Sequence, residues 1–156
     1  MNRTIQPEIK EISSVEIQKV EQKTLGNNIQ LTTLNAGSQE LLRVEFIFKA
    51  GSRYQSQPLV AGLTNDMLLE GTSKMTGREI NEKVDFYGGF MNVEITKDYA
   101  ILQVFVLAKY LDNVLEVIAE CIYDSQYPSK QFEVLKANKR SKYLVNAEKV
   151  DFLCRQ

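Results

Sequence analysis

An α+β domain, its antiparallel or mixed sheet covered by helices, is the fold class this sequence predicts, on three observations. Apolar and polar residues alternate in two groups of short stretches, over residues 15–50 and 91–107. After each group come segments with apolar residues at helical spacing. Turn residues, among them Gly26-Asn27-Asn28, Gly88-Gly89 and Lys97-Asp98, separate the elements.

Residues 1–14 are polar, lack a period and contain Pro7, so they read as an extended arm before a domain over 15–156. Val15, Ile17 and Val20 alternate with charged residues as a first strand, and Ile29, Leu31 and Thr33 form a second beyond the turn. In the third, residues 42–50, Val44, Phe46 and Phe48 share one face. Three antiparallel strands are the simplest reading of this part. Residues 57–72 (QPLVAGLTNDMLLEGT) predict a buried helix, with Leu59, Leu63 and Met67 four apart, Val60 on the same side, and Gly71 where a C-terminal cap is wanted. Thr76 and Glu79 form a capping box for another helix, with Ile80 and Val84 on its apolar stripe and Gly88-Gly89 as its stop. The run from Tyr99 to Leu107 is apolar on parts of both faces, which predicts a central strand; the stretch 90–96 before it alternates and predicts an edge. Leu111, Val114, Leu115, Ile118, Cys121 and Ile122 outline an amphipathic helix. Pro128-Ser129 opens a last, highly charged one, with a break near Asn146.

Composition removes whole classes of chemistry. The 156 residues include no histidine, so neither an imidazole base nor a His-ligated zinc can be built from them. A net charge of −1, with both signs mixed along the chain, argues against a nucleic-acid partner. No apolar run is long enough to span a membrane, and the start MNRTIQPEIK lacks the apolar core of a signal peptide. The expected location is the cytoplasm. Cys121 lies on an apolar helix face and reads as a buried structural thiol, and Cys154 has no histidine to activate it. The basic run Lys136, Lys139, Arg140, Lys142 reads as a solvated helix face.

Gly62, Asn65 and Asp66 stand at i, i+3 and i+4, on one face of the predicted helix over 57–72. Two imidazoles and a carboxylate so placed would hold zinc and activate water. Here a glycine, an amide and one aspartate stand instead. The order of VEFIFKAGSRY (44–54), this helix ending in LLEGT, and TGREINEKVDFYGGFMNVEITKDYAILQVFVL (76–107) resembles the first domain of the pitrilysin/insulinase family of zinc metallopeptidases and their non-catalytic relatives. The likeness runs from about Lys23 onward.

The resemblance implies a metallopeptidase domain of the LuxS and processing-peptidase type, in which active members carry H-x-x-E-H on this helix. Counted back from Gly71-Thr72, the histidines fall on Gly62 and Asp66 and the glutamate base on Asn65. The third ligand, a glutamate on a later helix, falls on Lys142, or on Ser141 if the count slips by one. The expectation is therefore no catalytic residue and no cofactor, where active relatives hold zinc, and an Asp66–Lys142 ion pair at the degenerate site. The strand of Met91, Asn92, Val93, Glu94 and Ile95 matches the one that takes up an extended peptide in active relatives. The partner implied is an active zinc-peptidase homologue or a second copy of this chain, with extended peptides as ligands and neither nucleic acid nor membrane. A stand-alone peptide-binding or scaffold protein is the alternative, and an active peptidase with displaced ligands the weakest one. Such domains also continue past the position of Gln156 and precede a second of the same fold; Val150, Phe152 and Leu153 read as core residues still wanting cover.

Overall fold

The computed structural model describes residues 17–154, apart from the side chains of Phe152 and Leu153. The arm expected over residues 1–14 lies outside them. The chain forms two compact units, residues 1–39 and 40–156. In the first, β1 (Glu21–Thr24) and β2 (Gln30–Thr33) make an antiparallel hairpin in register from Glu21 opposite Thr33 to Thr24 opposite Gln30. Its turn is closed by Asn28 N–H donating to Leu25 C=O and Leu25 N–H to Ile29 C=O, both 2.9 Å. Asn28 takes the left-handed conformation (φ 63°) that asparagine tolerates. The first strand thus lies nearer the turn than Val15 and Val20 suggested, because pairing starts where the turn brings the chains together.

The second unit holds a three-stranded antiparallel sheet in the order β3 (Leu41–Phe48), β5 (Ala100–Leu107), β4 (Phe90–Ile95). β5 is central and β4 an edge, as their apolar patterns predict. β3 joins β5, not the β1–β2 hairpin, which corrects the expectation of three consecutive paired strands. The reason is burial: β5 is apolar on both sides and draws a neighbour to each edge. Leu102, Val104 and Val106 of β5 point into the core with Ile80 and Val84 of α2 (Gly77–Phe86) and Val114, Val117, Ile118 and Cys121 of α3 (Leu111–Tyr123). Burial pushes the Cys121 thiol up to about 11, so this cysteine packs and does not react.

The capping box of α2 forms as read. Thr76 N–H donates to the Glu79 carboxylate (2.8 Å), and Glu79 N–H donates to Thr76 Oγ1 (3.3 Å). The bond from Thr76 N–H, with a second from Thr76 Oγ1 (2.8 Å), holds the Glu79 carboxyl below its ordinary range. At the other end Gly88 has φ +65°, and a Cβ on Gly89 would lie 2.9 Å from Val84 Cγ1. One glycine is required by conformation and the other by space.

α1 (Val60–Met67) is shorter than the stretch that predicted it. Leu59, in the left-handed conformation (φ 73°), precedes it, and Leu68 ends it before Gly71 is reached. Beyond that end the chain turns back, and the Thr72 hydroxyl accepts from the N–H groups of Lys74 (3.2 Å) and Met75 (3.0 Å). Gly71 is not a helix cap but bridges to Thr76, and Thr72 bridges to Ser125. α1 buries the expected side only in part, with Met67 buried and Leu63 half-buried. Leu59 and Val60 are exposed, whereas Gly62, Asn65 and Met67 are buried. α4 (Ser129–Ala147) and α5 (Val150–Leu153) complete the unit, and Val150, expected to seek cover, is exposed.

Candidate functional site

The face of α1 that carries Gly62, Asn65 and Asp66 is turned inward, toward β4 and α4. Asn65 is 7% exposed, and its Nδ2 donates to the carbonyl of Glu94 on β4 at 2.8 Å. A buried amide needs such a partner. The effect is to fasten α1 to the edge strand by one backbone carbonyl.

Asp66 pairs with Lys139 of α4, Oδ2 to Nζ at 2.8 Å, with side chains 32% and 28% exposed. The pair expected with Lys142 does not form, and Lys142 is exposed. Phe132, Leu135, Lys139 and Asn146 of α4 are half-buried at helical spacing; Lys142 stands about one turn beyond Lys139 on the same side of the helix and is exposed there. Lys139 is therefore not part of a solvated basic face, as the sequence suggested. A Cβ added to Gly62 would stand 3.3 Å from Lys139 Nζ and 3.7 Å from Ile95 Cγ2. The ammonium lies over the glycine and against the aspartate. An ion pair this open contributes at most about 1 kcal/mol, so its interest is chemical more than energetic.

These residues do not fit a zinc ion. Zinc needs several neutral nitrogen or anionic donors converging on one point. Here the one carboxylate is paired with an ammonium, and a neutral amide, its Nδ2 donating to Glu94, is no substitute for an imidazole or a second carboxylate. Among the described residues no three of His, Cys, Asp and Glu gather where a metal could be held.

Next to the helix runs strand β4. Phe90, Asn92 and Glu94 are exposed on one face, while Met91, Val93 and Ile95 are half-buried on the other. Only β5 pairs with it among the described residues, so its outer edge is open to another strand. The far end of β4 is held by the loop over residues 51–54. Gly51, Ser52 and Arg53 donate their N–H groups to the carbonyls of Asp98 (3.2 Å), Thr96 (3.0 Å) and Lys97 (2.8 Å), and Arg53 pairs with Asp98 at 3.2 Å.

Between this loop, the end of β3 and α1 opens a cleft of about 520 Å³, lined by apolar groups of Phe48, Tyr54, Val60, Leu68 and Tyr127, with Asn65 also in its wall. Sequence reasoning missed both the cleft and Lys139. The inward stripe of α4 was the one available signal for the lysine; nothing local announced the cleft, whose wall joins residues between Phe48 and Leu68 to Ala100 and Tyr127.

Residues 31–153 match the family model for insulinase, peptidase family M16. Cytochrome b-c1 complex subunit 2 of Neurospora crassa is 30% identical over 97 residues, which cover 62% of this chain and 21% of that protein. The probable mitochondrial-processing peptidase subunit beta of Arabidopsis thaliana is 24% identical over 110 residues, covering 69% and 21% respectively. The crystal structure of a peptidase M16 inactive domain from Pseudomonas fluorescens has the same fold, with a TM-score of 0.80 at 21% identity over 86% of this chain and 33% of its own. The chain thus spans about a fifth of the length of these two curated relatives.

Proposed function

Because the chain belongs to the insulinase family, peptidase family M16, we propose that it is part of a non-catalytic peptidase homologue, one that pairs with an active zinc peptidase and helps to enclose a peptide-binding chamber. The observation that carries this reading is the Lys139 ammonium set over Gly62 and against Asp66. Metal-assisted peptide hydrolysis needs a cation held by the protein and a base beside its water. On the motif helix Gly62, Asn65 and Asp66 are the degenerate positions, and a lysine is in the way.

Peptide binding does not need the metal. An extended peptide laid along Met91, Asn92, Val93, Glu94 and Ile95 would draw its affinity from main-chain hydrogen bonds and its selectivity from alternate side chains. Asn65 and the 51–54 loop keep that strand in place for such an addition. Similarity to an inactive domain and to a protein named as a peptidase subunit supports the pairing. Similarity to a subunit of the cytochrome b-c1 complex favours a second reading, a scaffold or peptide-binding protein of the same fold with no peptidase alongside.

Affinity purification of the full-length protein from its native cells, with mass-spectrometric identification of what stays bound, separates the two. The expected result is recovery of a homologue with an intact H-x-x-E-H helix. Recovery alone, or with partners lacking that motif, would transfer the case to the scaffold.

A further inference from the structure

We infer that Gly62, Asp66 and Lys139 act as one interdependent unit, in which the lysine ammonium stands where an active relative would hold its metal and joins α4 to α1 in the metal's stead. The inference rests on the reading of α1 as the degenerate motif helix, and it goes beyond that reading by naming what replaced the cation. Three observations on this chain's own atoms carry it.

First, the ammonium is 2.8 Å from Asp66 and would be 3.3 Å from any Cβ at position 62. A side chain reaching further from position 62 meets the charged group itself, so the glycine makes the room that the lysine uses. Second, Lys139 lies on the inward stripe of a helix in which no residue is fully buried. Its contact with Asp66 is a polar tie between α4 and α1, as a metal bridging two helices would be. Third, Asn65 is anchored elsewhere, its Nδ2 donating to the Glu94 carbonyl, and the ammonium's ion-pair partner is Asp66. A primary ammonium carries three donors and no acceptor, so it matches a carboxylate and excludes a second cation from the same place.

The consequence is that histidines cannot restore metal binding to α1 while the lysine stays, and that Lys139, not Lys142, is the position to change. Three variants of the full chain test this: G62H/D66H, G62H/D66H/K139E and G62H/D66H/K142E. Each is checked for folding by circular dichroism, then titrated with zinc by equilibrium dialysis and by thermal unfolding with and without the metal. The K139E triple variant is expected to take up about one zinc per chain and to gain thermal stability from it. The other two are expected to bind on the order of a hundredfold more weakly, because an ammonium remains at the site and a ligand is missing. Equal binding by the double variant, or stronger binding by the K142E triple variant, would overturn the inference.

Should the triple variant fail to fold, the cycle of D66A, K139A and D66A/K139A decides instead. Non-additive shifts in unfolding midpoint are expected, and strict additivity would overturn the unit. These outcomes are separable from failure of the functional reading, which would appear as zinc and cleavage activity in the unaltered protein.

Discussion

Gly51→Ala is expected to destabilise the 40–156 unit by about 3 kcal/mol, at the upper end of what overpacking costs. The added Cβ would lie 2.4 Å from the carbonyl carbon of Asp98 and 2.5 Å from both Lys97 O and Tyr99 N. All three are backbone atoms in the turn between β4 and β5, so no side chain can swing aside to make room. The loop must lift off the turn, and the three hydrogen bonds from residues 51–53 go with it. Denaturant unfolding of the variant measures the loss. Arg53→Ala serves as the control, because it removes an exposed ion pair and leaves those backbone bonds in place; its cost is expected below about 1 kcal/mol. Equal stabilities for Gly51→Ala and the parent would mean that the loop does not dock as described.

Asn65→Asp is expected to cost about 2–3 kcal/mol at neutral pH, and the cost is expected to vanish in acid. The side-chain amide of Asn65 is a donor 2.8 Å from the Glu94 carbonyl, in a position 7% exposed. An ionised carboxylate there would set an acceptor against an acceptor and bury a charge, whereas the protonated acid could still donate. Its folded-state pKa is therefore raised above the unfolded value of about 4. For an acid shifted in that direction the penalty is absent below the unfolded pKa and grows as pH rises to the folded one. Unfolding curves at about pH 4 and pH 8 should therefore converge on and diverge from the parent respectively. The same stability deficit at both would show that Asn65 does not donate to the strand. This result bears on function, since it is the motif position where the resemblance places a glutamate base.

Much of the 40–156 unit was legible because its signals are local. Thr76 and Glu79 meet within a single turn, the stripe of α3 needs no partner to be recognised, and the different alternation of 91–95 and 100–107 separates an edge from a central strand. What failed depended on distant partners. β3 carries nothing that says whether it pairs with β2 or with β5; the choice follows from the burial demand of β5, some fifty residues later in the chain. Gly71 offers a cap in the sequence, but α1 ends before it, and the Thr72 hydroxyl holds the turn that follows. A count along the chain points to Lys142, whereas the side chain that meets Asp66 is Lys139. Lys139 and Lys142 share one side of α4, so helical spacing admits both, and the packing of α4 on α1 decides which side chain reaches Asp66.

The measurement that bears most directly on a non-catalytic role is the zinc content of the full-length protein purified without added metal, taken together with its cleavage of unstructured peptides with and without a chelator. A lysine of α4 set over Gly62 and against Asp66 of α1 predicts zinc well below one ion per chain and no cleavage that the chelator suppresses. About one bound zinc per chain, with cleavage abolished by the chelator, would contradict it.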